Sequence, residues 1–286
     1  MGAYNLKVYE YADSLQIRMY DKAILYSEKV KPFRTFGKEE ELEEPFSCFD
    51  EQTEEQKKRS IASSRSRTVN QIYEIARANA WEYFLTLTFD RKKIDSSDYD
   101  LLCNKVSIWL NNIKKRYAPD LKYIIVPELH SDGIHYHFHG LLANIGDMKL
   151  LDSGIIKNGK AIYNLENWKY GFSTATIIRD SSKASSYITK YITKDLSHIL
   201  QNQHRYLASQ NIDKPLERVF NIDYDELTRI YSKYLSHITY MSDVKLPGVG
   251  QEILYMELQK GKGNPAPCKT NFSIFEPELK KPVCMD

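Results

Sequence analysis

Three of the seven histidines alternate along one short stretch of the sequence, at His135, His137 and His139. Alternate side chains of a β-strand point to the same face, so these three are expected on one face and Tyr136 and Phe138 on the other. Neutral imidazoles are common ligands of divalent cations, and several on one face can converge on a single ion. The stretch therefore predicts a strand that presents metal ligands.

A carboxylate on the preceding strand can complete this site. Asp132-Gly133 is a two-residue turn signal. With the turn there, Glu128 is expected directly opposite His137, on the same face and with Cβ atoms about 5 Å apart. Glu128, His137 and His139, with His135 as a further candidate, would offer ligands to Mn²⁺, Mg²⁺ or Zn²⁺. The alternatives are half-exposed histidines without a metal and a purely structural zinc, although no cysteine is nearby to close such a site.

A second group of reactive side chains follows about 50 residues later, in the segment Tyr187-Ile-Thr-Lys190-Tyr191-Ile-Thr-Lys194. At about 100° per residue in a helix, its two tyrosines and two lysines share one face. A phenol has a reference pKa of about 10, and nearby ammonium groups favour its ionised form and attract a phosphate. The segment predicts a helix over about 182–196 with two candidate nucleophiles, and side-chain packing is the alternative for such a pair.

Charge is unevenly distributed, although the net charge is only +2. Residues 38–55 hold nine acidic residues and one lysine, whereas residues 56–80 hold six basic residues and one glutamate. The basic segment reads as an amphipathic helix. Arg59, Arg65 and Arg67 are candidates for contacts with phosphates, and a solvated helix face is the alternative.

The elements that must position these groups are local and short. The sequence predicts strands at 84–89, 123–126, 134–142 and 174–178, and a helix at 97–117. Strands separated by turns and helices indicate an α+β fold with a central antiparallel β-sheet and flanking helices.

Composition limits the cellular setting. The four cysteines are far apart and form no CxxC pair, which fits a reducing cytoplasm and speaks against a zinc ribbon or a disulfide scaffold. No signal peptide is evident, and no apolar run approaches the roughly 20 residues of a membrane-spanning helix. We therefore expect a cytoplasmic protein without a membrane partner.

Together the two groups resemble the HUH endonucleases, named for a histidine, a bulky hydrophobic residue and a histidine. His137-Phe138-His139 resembles that motif, and the strand Phe84–Phe89 resembles the family's first motif. The segment 187–191 resembles the two-tyrosine motif of replication initiators from single-stranded DNA phages and rolling-circle plasmids. The order of histidine strand and tyrosine helix is also that of replication initiators, and the resemblance covers roughly 81–196.

The resemblance implies a rolling-circle replication initiator in a bacterial host cell. Tyr187 or Tyr191, helped by Lys190 and Lys194, would cut single-stranded origin DNA in the presence of Mn²⁺ or Mg²⁺ and form a 5′-phosphotyrosine. A host polymerase would extend the free 3′-OH, and a host helicase would be needed because the chain has no GxxxxGK motif followed by Ser or Thr. The alternatives are a transposase or mobilisation relaxase of the same chemistry and a non-catalytic DNA-binding protein with a structural metal.

With this resemblance, three regions are expected. Residues 1–55 form an N-terminal extension with an acidic linker, residues 56–200 form the endonuclease domain of the HUH, or Rep-like, fold, and residues 201–286 form a C-terminal helical extension and tail.

Overall fold

The chain forms two compact units in the computed structural model, which describes residues 2–26, 53–179, 188, 203, 205–246 and 251–260. One unit contains residues 1–48 and 215–286, and the other contains residues 49–214. In chain order the described elements are β1 (Gly2–Glu10), β2 (Ser14–Tyr26), α1 (Glu54–Ala78), β3 (Tyr83–Phe89), α2 (Tyr99–Arg116), β4 (Lys122–Leu129), β5 (Tyr136–Ala143), β6 (Leu150–Lys157), β7 (Lys160–Leu165), β8 (Gly171–Ile177), β9 (Leu207–Ala208), β10 (Leu216–Phe220), α3 (Tyr224–Tyr234), β11 (Ile238–Leu246) and β12 (Gln251–Gln259).

The unit of residues 49–214 is built on a seven-stranded sheet in the order β6-β7-β8-β3-β5-β4-β9. Every neighbouring pair in this sheet is antiparallel. Within the described residues, strands predominate and α-helices number three. The prediction of an α+β fold on an antiparallel sheet is therefore confirmed.

The hydrophobic alternation of β3 explains why the sheet has two different faces. Leu85, Leu87 and Phe89 are buried in the core. Thr86 and Thr88 alternate with them and point to the opposite face. The core on the Leu85 side includes one stripe of α2, composed of Leu102, Val106, Trp109, Leu110 and Ile113. The threonine face is consequently the one that can carry polar chemistry.

The unit of residues 1–48 and 215–286 holds a five-stranded sheet in the order β10-β1-β2-β12-β11. Strand β1 pairs with β10, and β2 pairs with β12, so strands from both ends of the chain share one sheet. Leu227 of α3 packs in its core with Leu6, Ile17 and Met256. This differs from the expectation of two separate extensions, because pairing between residues more than 200 positions apart leaves no local sequence pattern.

No helix in the described part of the chain is long and apolar enough to cross a membrane.

Candidate active site

The histidine strand lies between two strands that supply its partners. In β5, His137 is directly opposite Thr88 of β3 on one side and Glu128 of β4 on the other, and His139 is opposite Thr86. Directly opposed residues of antiparallel strands share a face. The register predicted from the Asp132-Gly133 turn, with Glu128 opposite His137, is confirmed.

Glu128 reaches along this face to the second histidine. Its Oε2 atom lies 2.5 Å from Nε2 of His139, whose side chain is almost fully buried. The ring of His137 lies 6.4 Å from that of His139 and 4.8 Å from that of His130, measured between centroids. Four side chains with metal-ligating atoms therefore gather on one sheet face.

A threonine hydroxyl contacts the Nδ1 atom of each of the two imidazoles, His137 and His139. The hydroxyl of Thr86 lies 3.1 Å from Nδ1 of His139, and that of Thr88 lies 3.3 Å from Nδ1 of His137. The ring of Phe84 also stacks on His139, with 5.8 Å between centroids. With Nδ1 engaged, Nε2 is the nitrogen that each ring presents for a further ligand.

The surroundings of His137 favour its neutral form. Burial lowers the pKa of His137, and repulsion from His130 and His139 lowers it further, against the opposing attraction of Glu128. Only the neutral imidazole has a lone pair to give to a cation, so this shift favours metal binding over proton binding.

The nitrogen and oxygen atoms of these side chains suit a divalent cation, but they are not arranged as the ligands of one ion. Among the described residues, no group of three or more His, Cys, Asp and Glu side chains has the arrangement of a formed metal site. Glu128 and His139 instead contact each other directly at 2.5 Å. Atoms that share one divalent ion stand farther apart than this, so the carboxylate would have to swing outward to share an ion with His139.

His135 is engaged in the turn between β4 and β5. Its Nδ1 lies 2.8 Å from Oδ2 of Asp132, and Nη2 of Arg91 donates to the same oxygen at 2.8 Å. The backbone N–H groups of His135 and Ile134 donate to Oδ1 of Asp132, and they hold the pKa of its carboxyl well below the usual range. The structure therefore brings His130, rather than His135, against the ring of His137.

Sequence reasoning missed three residues of this site: His130, Thr86 and Thr88. A signal was present for each of them. His130 is two residues after Glu128, which places both on one face of a strand, and the two threonines alternate in β3 as the histidines do in β5.

Within the tyrosine segment, the structure describes only Ile188. Tyr187, Lys190, Tyr191 and Lys194 lie outside the described residues, so their expected roles stay predictions. Ile188, within the segment, is helical and fully buried in the core that includes β3 and β5. Both properties are those expected of Ile188 in the predicted helix.

The basic segment forms most of α1, which begins at a capping box of Thr53 and Gln56. Arg67 is exposed and Arg65 is partly buried, whereas the side chain of Arg59 lies outside the described residues. One further cation joins this helix, because Nη1 of Arg205 donates to Ser64 Oγ at 3.0 Å and to Thr68 Oγ1 at 3.2 Å.

The comparison with protein families points to DNA replication. Residues 82–196 match the family model of the replication-associated protein ORF2/G2P. The matched stretch contains β3, the histidine strand and the tyrosine segment, and it lies within the unit of residues 49–214. No curated protein and no solved structure matches the chain. The match supports a replication initiator of the Rep type, with DNA as its partner.

Proposed function

We propose that the protein is a rolling-circle replication initiator with an HUH-type active site. It would cut single-stranded origin DNA and rejoin it through a covalent 5′-phosphotyrosine. The main support is the cluster of Glu128, His137 and His139 on one sheet face, which lies within the residues that match the replication-associated family. The antiparallel sheet with helices agrees with the HUH fold.

The proposed ligands of a divalent cation, Mn²⁺ or Mg²⁺, are Glu128, His137 and His139, with His130 and His135 as neighbours. A cation bound there would polarise the scissile phosphate and stabilise negative charge in the transition state. The chain itself supplies the orientation of the ligands, because Thr86 and Thr88 engage Nδ1 of the two imidazoles. The burial of His137 lowers the pKa of that ring and so favours the neutral form that a cation needs.

Tyr187 or Tyr191 is the proposed nucleophile, on the evidence of the sequence. The phenolic oxygen forms a bond to phosphorus as the phenol loses its proton, the bond from phosphorus to the 3′ oxygen breaks, and that oxygen leaves as a hydroxyl after taking up a proton. Lys190 and Lys194 would favour the phenolate and bind the phosphate. The second tyrosine can accept the strand at the end of a round, so that DNA is rejoined without ATP.

Arg59, Arg65 and Arg67 are proposed to contact DNA phosphates from α1. Their neutralisation would then weaken binding to every sequence alike. Host helicase and polymerase would act on the nicked product.

A nicking assay tests this function. The substrates are labelled single-stranded oligonucleotides that tile the DNA molecule carrying the gene, incubated with the protein and Mn²⁺. We expect one oligonucleotide to be cut at a unique position, with a free 3′-OH, and cleavage to stop when EDTA removes the metal. Glu128→Gln and His139→Ala should abolish cleavage. A protein that binds these oligonucleotides but cuts none of them with Mn²⁺ or Mg²⁺ would instead be a non-catalytic DNA-binding protein.

A further inference from the structure

The sheet face that carries His137 and His139 continues past β3 across three more strands. Thr88 is directly opposite Phe172 of β8, and the adjacent positions of β8, β7 and β6 follow in register. The further pairs are Thr86 with Thr174, Phe84 with Thr176, Thr176 with Ile162, and Ile162 with Ile155. Because directly opposed residues share a face, all of these side chains lie on the histidine side of the sheet. We call Phe172, Thr174, Thr176, Ile162 and Ile155 the distal face.

Two large apolar side chains of the distal face are open to solvent. Phe172 is 58% exposed and Ile155 is 54% exposed. Phe172 stands in the same cross-strand row as His137, with only Thr88 between them, so their backbones are about 10 Å apart at two strand spacings. Single exposed apolar residues are common on protein surfaces, but an exposed aromatic ring beside a candidate phosphate-cutting site is placed to meet a substrate.

The hairpin of β6 and β7, at the far end of this face, has a basic tip. The turn between β6 and β7 is Asn158-Gly159, with φ of 52° and 71°, and it is flanked by exposed Lys157 and Lys160. Nη2 of Arg179, the second residue after β8, donates to the carbonyl oxygen of Gly159 at 3.4 Å. Three cationic side chains therefore surround the tip, which suits a polyanion.

We propose that the distal face and its basic tip form a track for single-stranded DNA beside the nicking site. Bases would stack on Phe172 and contact Ile155, while Lys157, Lys160 and Arg179 bind phosphates. Proteins that hold single strands combine aromatic side chains with cations in this way, because every base has a face that can stack once it is unpaired. This inference rests on the proposed function and names the surface by which the substrate strand is held.

The sheet provides matched controls for a binding experiment. Ile156 is next to Ile155 and is 76% exposed, but it pairs with Ala161 on the opposite face. Ile177 is 44% exposed in β8 and pairs with Tyr83, also on the opposite face. The probe is fluorescein-labelled oligo(dT), titrated with the full-length protein. Phe172→Ala should raise the Kd about 5- to 150-fold and Ile155→Ala should raise it in the same direction, whereas Ile156→Ala and Ile177→Ala should leave it unchanged.

Phe172→Trp gives a second readout that does not depend on loss of binding. Its added tryptophan fluorescence, compared with that of the wild type, should be quenched as oligo(dT) stacks on the indole. If Phe172→Ala and Ile155→Ala bind as tightly as the wild type, or if the new tryptophan is not quenched, the track is disproved while nicking by the wild type still supports the proposed function. If the wild type neither binds nor cuts single-stranded DNA, the proposed function and the track fail together.

Discussion

At the scale of single residues, two threonine hydroxyls determine which nitrogen of each histidine faces the site. Thr86 and Thr88 contact Nδ1 of His139 and His137, at 3.1 and 3.3 Å. Groups that hold the far side of a ligating imidazole fix its orientation and increase its basicity, and their loss costs about 10- to 100-fold in metal affinity. Both hydroxyls come from β3, the strand next to the histidine strand.

Thr86→Val tests that role, because valine keeps the shape of threonine and removes its hydroxyl. We expect the affinity for Mn²⁺ to fall by about 10- to 100-fold, and Thr86→Ser to restore most of it. Thr174→Val is the control, since Thr174 lies opposite Thr86 on β8 and is separated from the histidine strand by β3. Calorimetric titration of each variant with Mn²⁺ measures its affinity for the metal. Equal losses in Thr86→Val and Thr174→Val would show that the hydroxyl of Thr86 has no special role.

At the scale of elements, the β4–β5 hairpin sets the geometry of the site, and most of it could be predicted from the sequence. The alternating histidines and the Asp132-Gly133 turn were sufficient to predict that Glu128 lies opposite His137. The rotation of the His135 ring onto Asp132 was not predictable, because it depends on the Asp132 carboxylate and Arg91, which comes from another part of the chain. Side-chain partners across a turn are decided by tertiary contacts that periodicity does not encode.

Asp132 should make the stability of the hairpin depend on pH. Backbone N–H groups hold the pKa of its carboxyl below that of the unfolded chain, which is about 4. Its contribution to stability is therefore complete above that value and is lost as the pH falls through the lower folded-state pKa. Thermal melts should show that Asp132→Asn is less stable than the wild type at neutral pH and that the difference shrinks in acid. A difference that stays constant from neutral to acidic pH would rule out this role for the ionised carboxylate.

Gly140 lets β4 and β5 approach closely next to the histidines. A Cβ atom there would fall 2.9 Å from the carbonyl oxygen of Ile124 and closer still to Cδ1 of Ile125. Gly140→Val should therefore lower the free energy of unfolding by about 1–3 kcal/mol or more, as overpacking does in a buried site. Urea denaturation measures the loss, and Ala143→Gly, a change in the same strand that removes volume, serves as a comparison. Unchanged stability in Gly140→Val would mean that the strands separate without cost.

At the scale of the whole molecule, the proposed replication chemistry belongs to one of the two units. The match to the replication-associated family, residues 82–196, lies inside the unit of residues 49–214. Local patterns such as the Phe84–Phe89 alternation and the stripe of α2 were enough to predict β3, β4, β5, β8, α1 and α2 of that unit, but not β6, β7 or β9. They did not predict the second sheet, in which Leu6 of β1 pairs with Phe220 of β10, because such contacts form only when distant segments meet.

A covalent-adduct assay tests the proposed bond between a tyrosine of the segment 187–194 and cut DNA. The wild type, Tyr187→Phe, Tyr191→Phe and the double variant are incubated with the labelled oligonucleotide that the wild type cuts and with Mn²⁺, and are then separated on denaturing gels. Loss of a hydroxyl keeps the ring, so each variant should stay folded, which circular dichroism checks. The wild type should form a labelled adduct, at least one single variant should lose much of it, and the double variant should lose all of it. An adduct formed by the folded double variant would contradict the assignment of the nucleophile to Tyr187 or Tyr191 and place it among the other 19 of the 21 tyrosines.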